Sequence, residues 1–293
     1  MPIVDVSPEV SIAYEAFGDP GDPPVLLVMG FGAQMIAWED DFCRALADRG
    51  RYVIRYDNRD CGLSTKFHDH PLDMGRLIEA LGAGDASAAL AMVPYGLRDM
   101  ADDGLGLLTA LGVERAHVVG ASMGGMIAQN MAINRPERVL TLTSMMSSTG
   151  ESEYGRATPE AQAALFGPKP SDRAGYIAAA ERSMAWASKR YGDPAALREY
   201  AARSYDRAYY PDGVGRQLGA IVLDGSRADA LRKLQVPTLV IHGLDDTLIE
   251  PSGGRRTAEL VPGAELLLLP DMGHDRPREI WPDLVDAIVR HTG

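Results

Sequence analysis

Apolar positions along the chain follow two rhythms. Short, nearly unbroken apolar runs at Val25–Met29, Tyr52–Tyr56, Ala116–Val119, Val139–Met145, Thr238–His242 and Glu265–Leu269 have the length and content of buried strands. Between them, apolar residues recur at helical spacing over Asp40–Asp48, Leu97–Leu111, Met123 to about Asn134, Gly254–Leu260 and Glu279–His291. Strand and helix alternate, which predicts a parallel sheet joined by right-handed crossovers. Glu9–Phe17 differs. Val10, Ile12 and Tyr14 alternate with Ser11, Ala13 and Glu15, the pattern of an antiparallel edge strand.

The alternation lapses twice. From Leu63 to Leu97 no strand pattern appears. Met74–Leu81 and Ala86–Met92 read as short helices, with Ala80-Leu81-Gly82-Ala83-Gly84 as the flexible point of a partly helical excursion. From Ser147 to about Ala228 there are helical patterns only, around Pro159–Leu165, Ala174–Trp186, Ala195–Tyr209 and Val214–Leu223, and seven of the eleven tyrosines fall here. A helical block between two sheet strands is most simply a cap over the carboxyl ends of the strands, where open α/β sheets place their sites. The chain therefore divides into a first core segment (1–146), a helical cap (147–228) and a second core segment (229–293).

One junction carries chemistry. Ala116-His117-Val118-Val119 runs into Gly120-Ala121-Ser122-Met123-Gly124 and then into good helix formers. A G-x-S-x-G turn between strand and helix is a nucleophile elbow, which exposes the serine hydroxyl above the sheet. Gly120 and Gly124 let strand and helix approach closely, and the helix N-terminus turns unpaired N–H groups toward any anion forming there. A serine so placed needs a base and a group to orient that base, following in the chain order serine, acid, histidine on loops after later strands. Pro270-Asp271-Met272-Gly273-His274 supplies the histidine, and Gly243-Leu244-Asp245-Asp246 supplies two candidate acids. His242 ends a strand and His117 lies inside one, so both read as packed or hydrogen-bonded core residues. The oxyanion formed on attack calls for two backbone N–H groups, that of Met123 and one from the Gly30-Phe31-Gly32 loop, where Phe31 is the natural donor.

Composition narrows the classes further. A formal net charge of −12 argues against nucleic acid or an anionic membrane as partner. No run is long and apolar enough to span a bilayer, and the N-terminal residues lack a signal-peptide pattern, so a cytoplasmic protein is expected. Cys43 and Cys61 read as two free, mostly buried thiols. His68-Asp69-His70 has no third ligand at a defined spacing, so no metal is expected.

Over almost its whole length the chain resembles the α/β-hydrolase superfamily, and within it the bacterial esterases similar to aclacinomycin methylesterase. The resemblance rests on Leu27–Gly30, Arg55–Ser64, Ala116–Gly124, Val236–Ile241 and Met272–His274. It implies an α/β-hydrolase fold, a mostly parallel sheet flanked by helices with an inserted helical cap. In those esterases the acid lies three residues after the strand-ending glycine, which implies Asp246; Gly253-Gly254-Arg255 keeps their spacing, although the usual proline comes one place later, at Pro251. Met29-Gly30 stands where the superfamily commonly has His-Gly, and the 63–97 excursion is longer than in that methylesterase.

The combined reading is a serine esterase without cofactor, with Ser122 as nucleophile, His274 as base and acid, and Asp246 as orienting carboxylate. It expects a small to medium apolar ester as substrate, a pocket lined by Met29, Gly30, Phe31, Met145 and Met146, and a monomer or homodimer. A lactonase, a cofactor-free perhydrolase-like enzyme and a slow, ligand-binding receptor-like module are the alternatives. Ser122 sits where related dehalogenases and epoxide hydrolases need an aspartate.

Overall fold

A computed structural model describes residues 1–293 apart from 169 and 171. In chain order the strands are β1 (Ile3–Asp5), β2 (Ser11–Phe17), β3 (Pro24–Val28), β4 (Tyr52–Tyr56), β5 (Ala116–Ala121), β6 (Val139–Met145), β7 (Thr238–Gly243) and β8 (Glu265–Leu269). The α-helices are α1 (Asp40–Ala47), α2 (Met74–Gly82), α3 (Ala86–Met92), α4 (Leu97–Ala110), α5 (Met123–Asn134), α6 (Pro159–Leu165), α7 (Arg173–Ala179), α8 (Pro194–Ala208), α9 (Asp212–Asp224), α10 (Ala228–Leu231), α11 (Ser252–Leu260) and α12 (Trp281–His291).

The strands form one sheet in the order β1-β2-β4-β3-β5-β6-β7-β8. From β4 to β8 all neighbours are parallel, as the strand–helix alternation predicts. β2 runs antiparallel, but it is not the edge strand that its alternation suggested. β1 pairs outside it, Val4 opposite Ile12. A three-residue strand is too short to carry a period, so sequence pattern alone passes over it.

Successive side chains of each strand feed opposite layers. On β3, Leu26 and Val28 pack with Leu105, Leu108, Met123 and Ile127 of α4 and α5, while Val25 and Leu27 pack with Phe42, Leu46, Leu284 and Ile288 of α1 and α12. All eight helix-face residues are buried. This two-sided burial is why the central strands read as unbroken apolar runs.

Among the described residues only helical elements lie between β6 and β7, as the lapse in alternation predicts. They start where the sequence supplies caps: Thr158, Asp172 and Asp193 each accept the first free N–H groups, ahead of α6, α7 and α8. Such caps contribute about 1 kcal/mol each. Charged pairs dock this insert on the loop after β4. Arg207 of α8 meets Asp57 at 2.8 Å, and Arg216 of α9 grips both oxygens of Asp60, at 2.7 and 2.9 Å. The 63–97 excursion joins the same assembly, since Leu77, Ala89 and Val93 form a small core with Leu72 and with Leu223 of α9.

Candidate active site

Ser122 occupies the turn between β5 and α5 with φ 58° and ψ −123°. A non-glycine residue held there costs on the order of 1–3 kcal/mol, so the surroundings must enforce it. They do so by hydrogen bonding and by close approach. The Ser122 N–H donates to Met145 O at 2.9 Å, and its carbonyl accepts from Ser147 Oγ at 2.9 Å. A Cβ on Gly120 would lie 2.1 Å from Gly124 O, and one on Gly124 would lie 2.1 Å from Val28 O. Both elbow glycines are therefore required by space.

The turn aims the hydroxyl at the loop after β8. Ser122 Oγ lies 2.9 Å from His274 Nε2, and His274 Nδ1 lies 2.7 Å from Asp246 Oδ2. The other oxygen of Asp246 accepts the N–H groups of Leu248 and Ile249, both at 2.9 Å. Asp246 is 2% exposed. Burial works against its charge, but the neighbouring His274 charge and hydrogen bonds from His242 and His274 outweigh it and hold the carboxyl at about 2. The site thus has a carboxylate that stays ionised at neutral pH, an imidazole oriented by it, and a hydroxyl within reach of that imidazole.

Asp245 points elsewhere. Its carboxylate accepts the Lys189 N–H at 3.0 Å and pairs with the Lys189 ammonium at 3.1 Å. It is a tether to the insert, and so is Asp275, which accepts the N–H groups of Ser188 and Gly273. His274 itself donates its N–H to Trp186 O at 2.6 Å. The segment 186–189 is thereby fastened to both loops that carry the acid and the histidine.

Gly30 adjoins the elbow, where a Cβ would lie 3.0 Å from Ser122 Cβ. Phe31 is half-buried and packs at the margin of the core. Among the described residues neither the Phe31 nor the Met123 N–H has an acceptor within the chain. A cavity of about 150 Å³ opens next along the same loop, lined by Gly32, Gln34, Cys61, Tyr176, Tyr209 and Val214 among others. Ser122 and His274 are not in its wall, and neither are Met29, Met145 and Met146. Those three methionines are buried and belong to the core cluster that includes residues of β3, β6 and β7. Apolar residues at strand ends serve core and pocket alike, and only side-chain direction separates the two.

The remaining candidates are accounted for by local partners. His117 Nδ1 meets Thr141 Oγ1 at 3.0 Å inside the sheet. His68 Nδ1 meets the Tyr210 hydroxyl at 3.1 Å, and the His70 carbonyl accepts from Arg216. Cys43 and Cys61 are free and buried. His242 is a core residue as expected, yet it also touches the site: its Nε2 lies 3.3 Å from Asp246 Oδ2. The signal for it was present, a histidine ending a strand four residues before the acid. Asp57 and Asp60, which hold the loops together, lie in Arg55–Ser64, one of the stretches that carries the resemblance, whereas Gln217 had no signal of its own.

A family description, alpha/beta hydrolase fold, matches residues 23–275, and the chain belongs to that family. Within it the chain is 29% identical over 308 residues to a rhodomycin D methylesterase of Streptomyces sp. (strain C5), covering 97% of this chain and 95% of that one. Among solved structures it resembles Est816, described as an N-acyl homoserine lactone degrading enzyme, with 28% identity, a TM-score of 0.71, and coverage of 97% and 98%. An enol-lactonase of Burkholderia xenovorans LB400 shares the fold at 21% identity, with a TM-score of 0.73 and 99% of both chains covered. Among the described residues no helix is long and apolar enough to cross a membrane.

Proposed function

We propose that this protein hydrolyses small-molecule carboxylic esters through an acyl-enzyme, with Ser122, His274 and Asp246 as the catalytic triad and residues 147–228 as a cap. The carrying observation is the pair of contacts at 2.9 and 2.7 Å that links hydroxyl, imidazole and carboxylate in series. The sequence similarity to a methylesterase supports the reaction class.

The chemistry follows from the geometry. Asp246 holds the imidazole with its hydrogen on Nδ1, leaving Nε2 free to take the Ser122 proton as Oγ attacks the ester carbonyl. The Phe31 and Met123 N–H groups, free of partners among the described residues, receive the oxyanion. As the tetrahedral intermediate collapses, His274 returns its proton to the alcohol oxygen, which leaves. Water then enters and gives a proton to His274 as its oxygen attacks the acyl carbon; on collapse the bond to Ser122 Oγ breaks, His274 returns that proton to Oγ, and the acid leaves. Every proton passes through one imidazole, so no cofactor is called for.

A lactone is an internal ester and fits the same steps, and the 28% identity to a lactone-degrading enzyme favours keeping it as the second reading. Turnover of p-nitrophenyl and methyl esters beside an acyl homoserine lactone tests both. Many turnovers per Ser122 on esters are expected. A faster lactone rate installs the second reading. At most one acylation per chain would make the protein a binder.

A further inference from the structure

Phe31 sits in a loop that does not hold its own shape. Gly30-Phe31-Gly32 forms a turn in which Ala33 N–H reaches Gly30 O at 3.3 Å, and Gly32 has φ +65°. Its other fixings come from outside. On the core side Asn58 Nδ2 donates to Met29 O at 2.9 Å. On the side of the insert, Gln217 of α9 accepts the Gly32 N–H on its Oε1 at 2.9 Å. The same side chain donates from Nε2 to Arg59 O, also at 2.9 Å. Gln217 is 1% exposed, so neither bond has water as a ready substitute. Arg59 is itself rigid, gripped by both oxygens of Asp103 at 2.6 and 2.7 Å. A second tie follows two residues on, where Gln34 Nε2 donates to Ser204 O and Ala208 O of α8 at 2.7 and 2.9 Å.

From this arrangement we propose that Gln217 is a positioning residue for the reaction: it fixes the Gly32 amide, and through it aims the preceding Phe31 N–H at the oxygen of the substrate carbonyl over Ser122. The idea rests on the ester-hydrolysis reading for its effect on rate, and on the hydrogen bonds alone for its effect on the loop. Seating the insert and completing the oxyanion site are then one event, because the bond that docks α9 is also the bond that shapes the loop. The peptide plane of Gly32 is held at its N–H, so rotation of the Phe31–Gly32 linkage is blocked. Released, a glycine-flanked turn has wide backbone freedom, and the donor is no longer preorganised.

Removing one oxyanion donor costs about 10²- to 10³-fold in turnover, and misaiming one costs less. Gln217→Met keeps length and flexibility and deletes both hydrogen bonds. It is expected to lower kcat on a p-nitrophenyl ester on the order of 10- to 100-fold, with KM within about threefold. An aryl trifluoromethyl ketone, whose adduct with Ser122 places an oxyanion in the same position, should weaken by the same factor. Gln217→Glu, which burial against the Arg59 carbonyl keeps protonated, offers Gly32 an acceptor and Arg59 O a donor and should recover most of the loss. Amide hydrogen exchange over residues 30–35 should quicken in Gln217→Met.

A folded Gln217→Met with kcat within threefold of wild type overturns the proposal, and so do equal losses in the Met and Glu variants or unchanged exchange over 30–35. If Gln217→Met does not fold, Gln217→Asn, too short to reach Gly32, is held to the same criteria. If the wild-type protein turns over no ester, the ester reading fails on its own. The clamp is then judged on exchange alone, where faster exchange sustains it and unchanged exchange ends it.

Discussion

His242 Nε2 stands 3.3 Å from Asp246 Oδ2 while meeting Ile249 O at 2.7 Å. The other ring nitrogen is buried without a partner among the described residues, and a Cβ on Gly254 would come within 2.4 Å of it. The hydrogen is therefore assigned to Nε2, which faces both the carbonyl and the carboxylate. His242 thus belongs to the support of the acid, together with the Leu248 and Ile249 amides. Hydrogen bonds to charged groups contribute about 1.5–3 kcal/mol, and part of that should appear in turnover. His242→Leu is expected to lower kcat on an ester about tenfold. His242→Gln, which can place a donor near the same point, should stay closer to wild type. Equal rates for Leu and wild type would show His242 to be packing only.

Exchanging each neighbouring acid tests which one serves the histidine. Asp246→Asn should lose about 10⁴ in kcat, because the imidazole tautomer is no longer held and the imidazolium no longer stabilised. Asp245→Asn should stay within about tenfold, since an amide oxygen still accepts the Lys189 N–H. Its cost should appear in the melting temperature, through the tether to the insert. Rates reversed between the two would assign the role to Asp245.

Ser122→Ala should abolish turnover, by about 10⁶ in the manner of other triads, with the melting temperature at or above wild type. Ala relieves none of the φ of 58° but removes no packing. An organophosphate should label Ser122 alone, read by mass spectrometry. A tenth of the wild-type rate in the Ala variant would end the serine-hydrolase reading.

Substrate choice should follow the cavity and not the methionines. Val214 lines the cavity and Met145 is fully buried. Val214→Trp should change the ratio of rates for long and short acyl chains. Met145→Ala should leave that ratio unmoved and cost about 2–5 kcal/mol in denaturant unfolding, the range for truncating a packed core side chain. The opposite result would place the pocket at the strand ends, beside Met145.

The acid limb of stability should carry a signature of His117. Burial, followed by the nearby charges of Arg51, His291 and Arg115, pushes its imidazole down to about 4 from an ordinary value of 6.5. Between those values the unfolded chain binds a proton that the folded chain refuses. Stability from this group is therefore complete above 6.5 and is lost as pH falls toward 4. His117→Gln should flatten the unfolding free energy against pH in that window, measured by denaturant titration. A slope unchanged from wild type would mean that the imidazole protonates in place.

The sequence alone carried whatever is written in short-range order. Strand and helix periods located the sheet from β2 onward, because the central strands are buried on both faces and apolar throughout, while β2 alternates. The elbow at Ser122 was legible because its geometry requires glycines two residues to either side. His274 was legible because it follows the last strand. Tertiary structure decided what depends on partners far apart in the chain. β1 became an edge strand only by pairing with β2. The 63–97 excursion took its place only by packing on α9. Asp245 and Asp246, one residue apart, were separated by the turn that sends one carboxylate to Lys189 and the other to His274. Met145 and Val214 are both apolar, and side-chain direction put one in the core and the other on the cavity wall. Gln217 reaches Gly32 across 185 residues. A single hydrogen bond between two loops imposes no period and no composition on the chain, so only the folded arrangement reveals it.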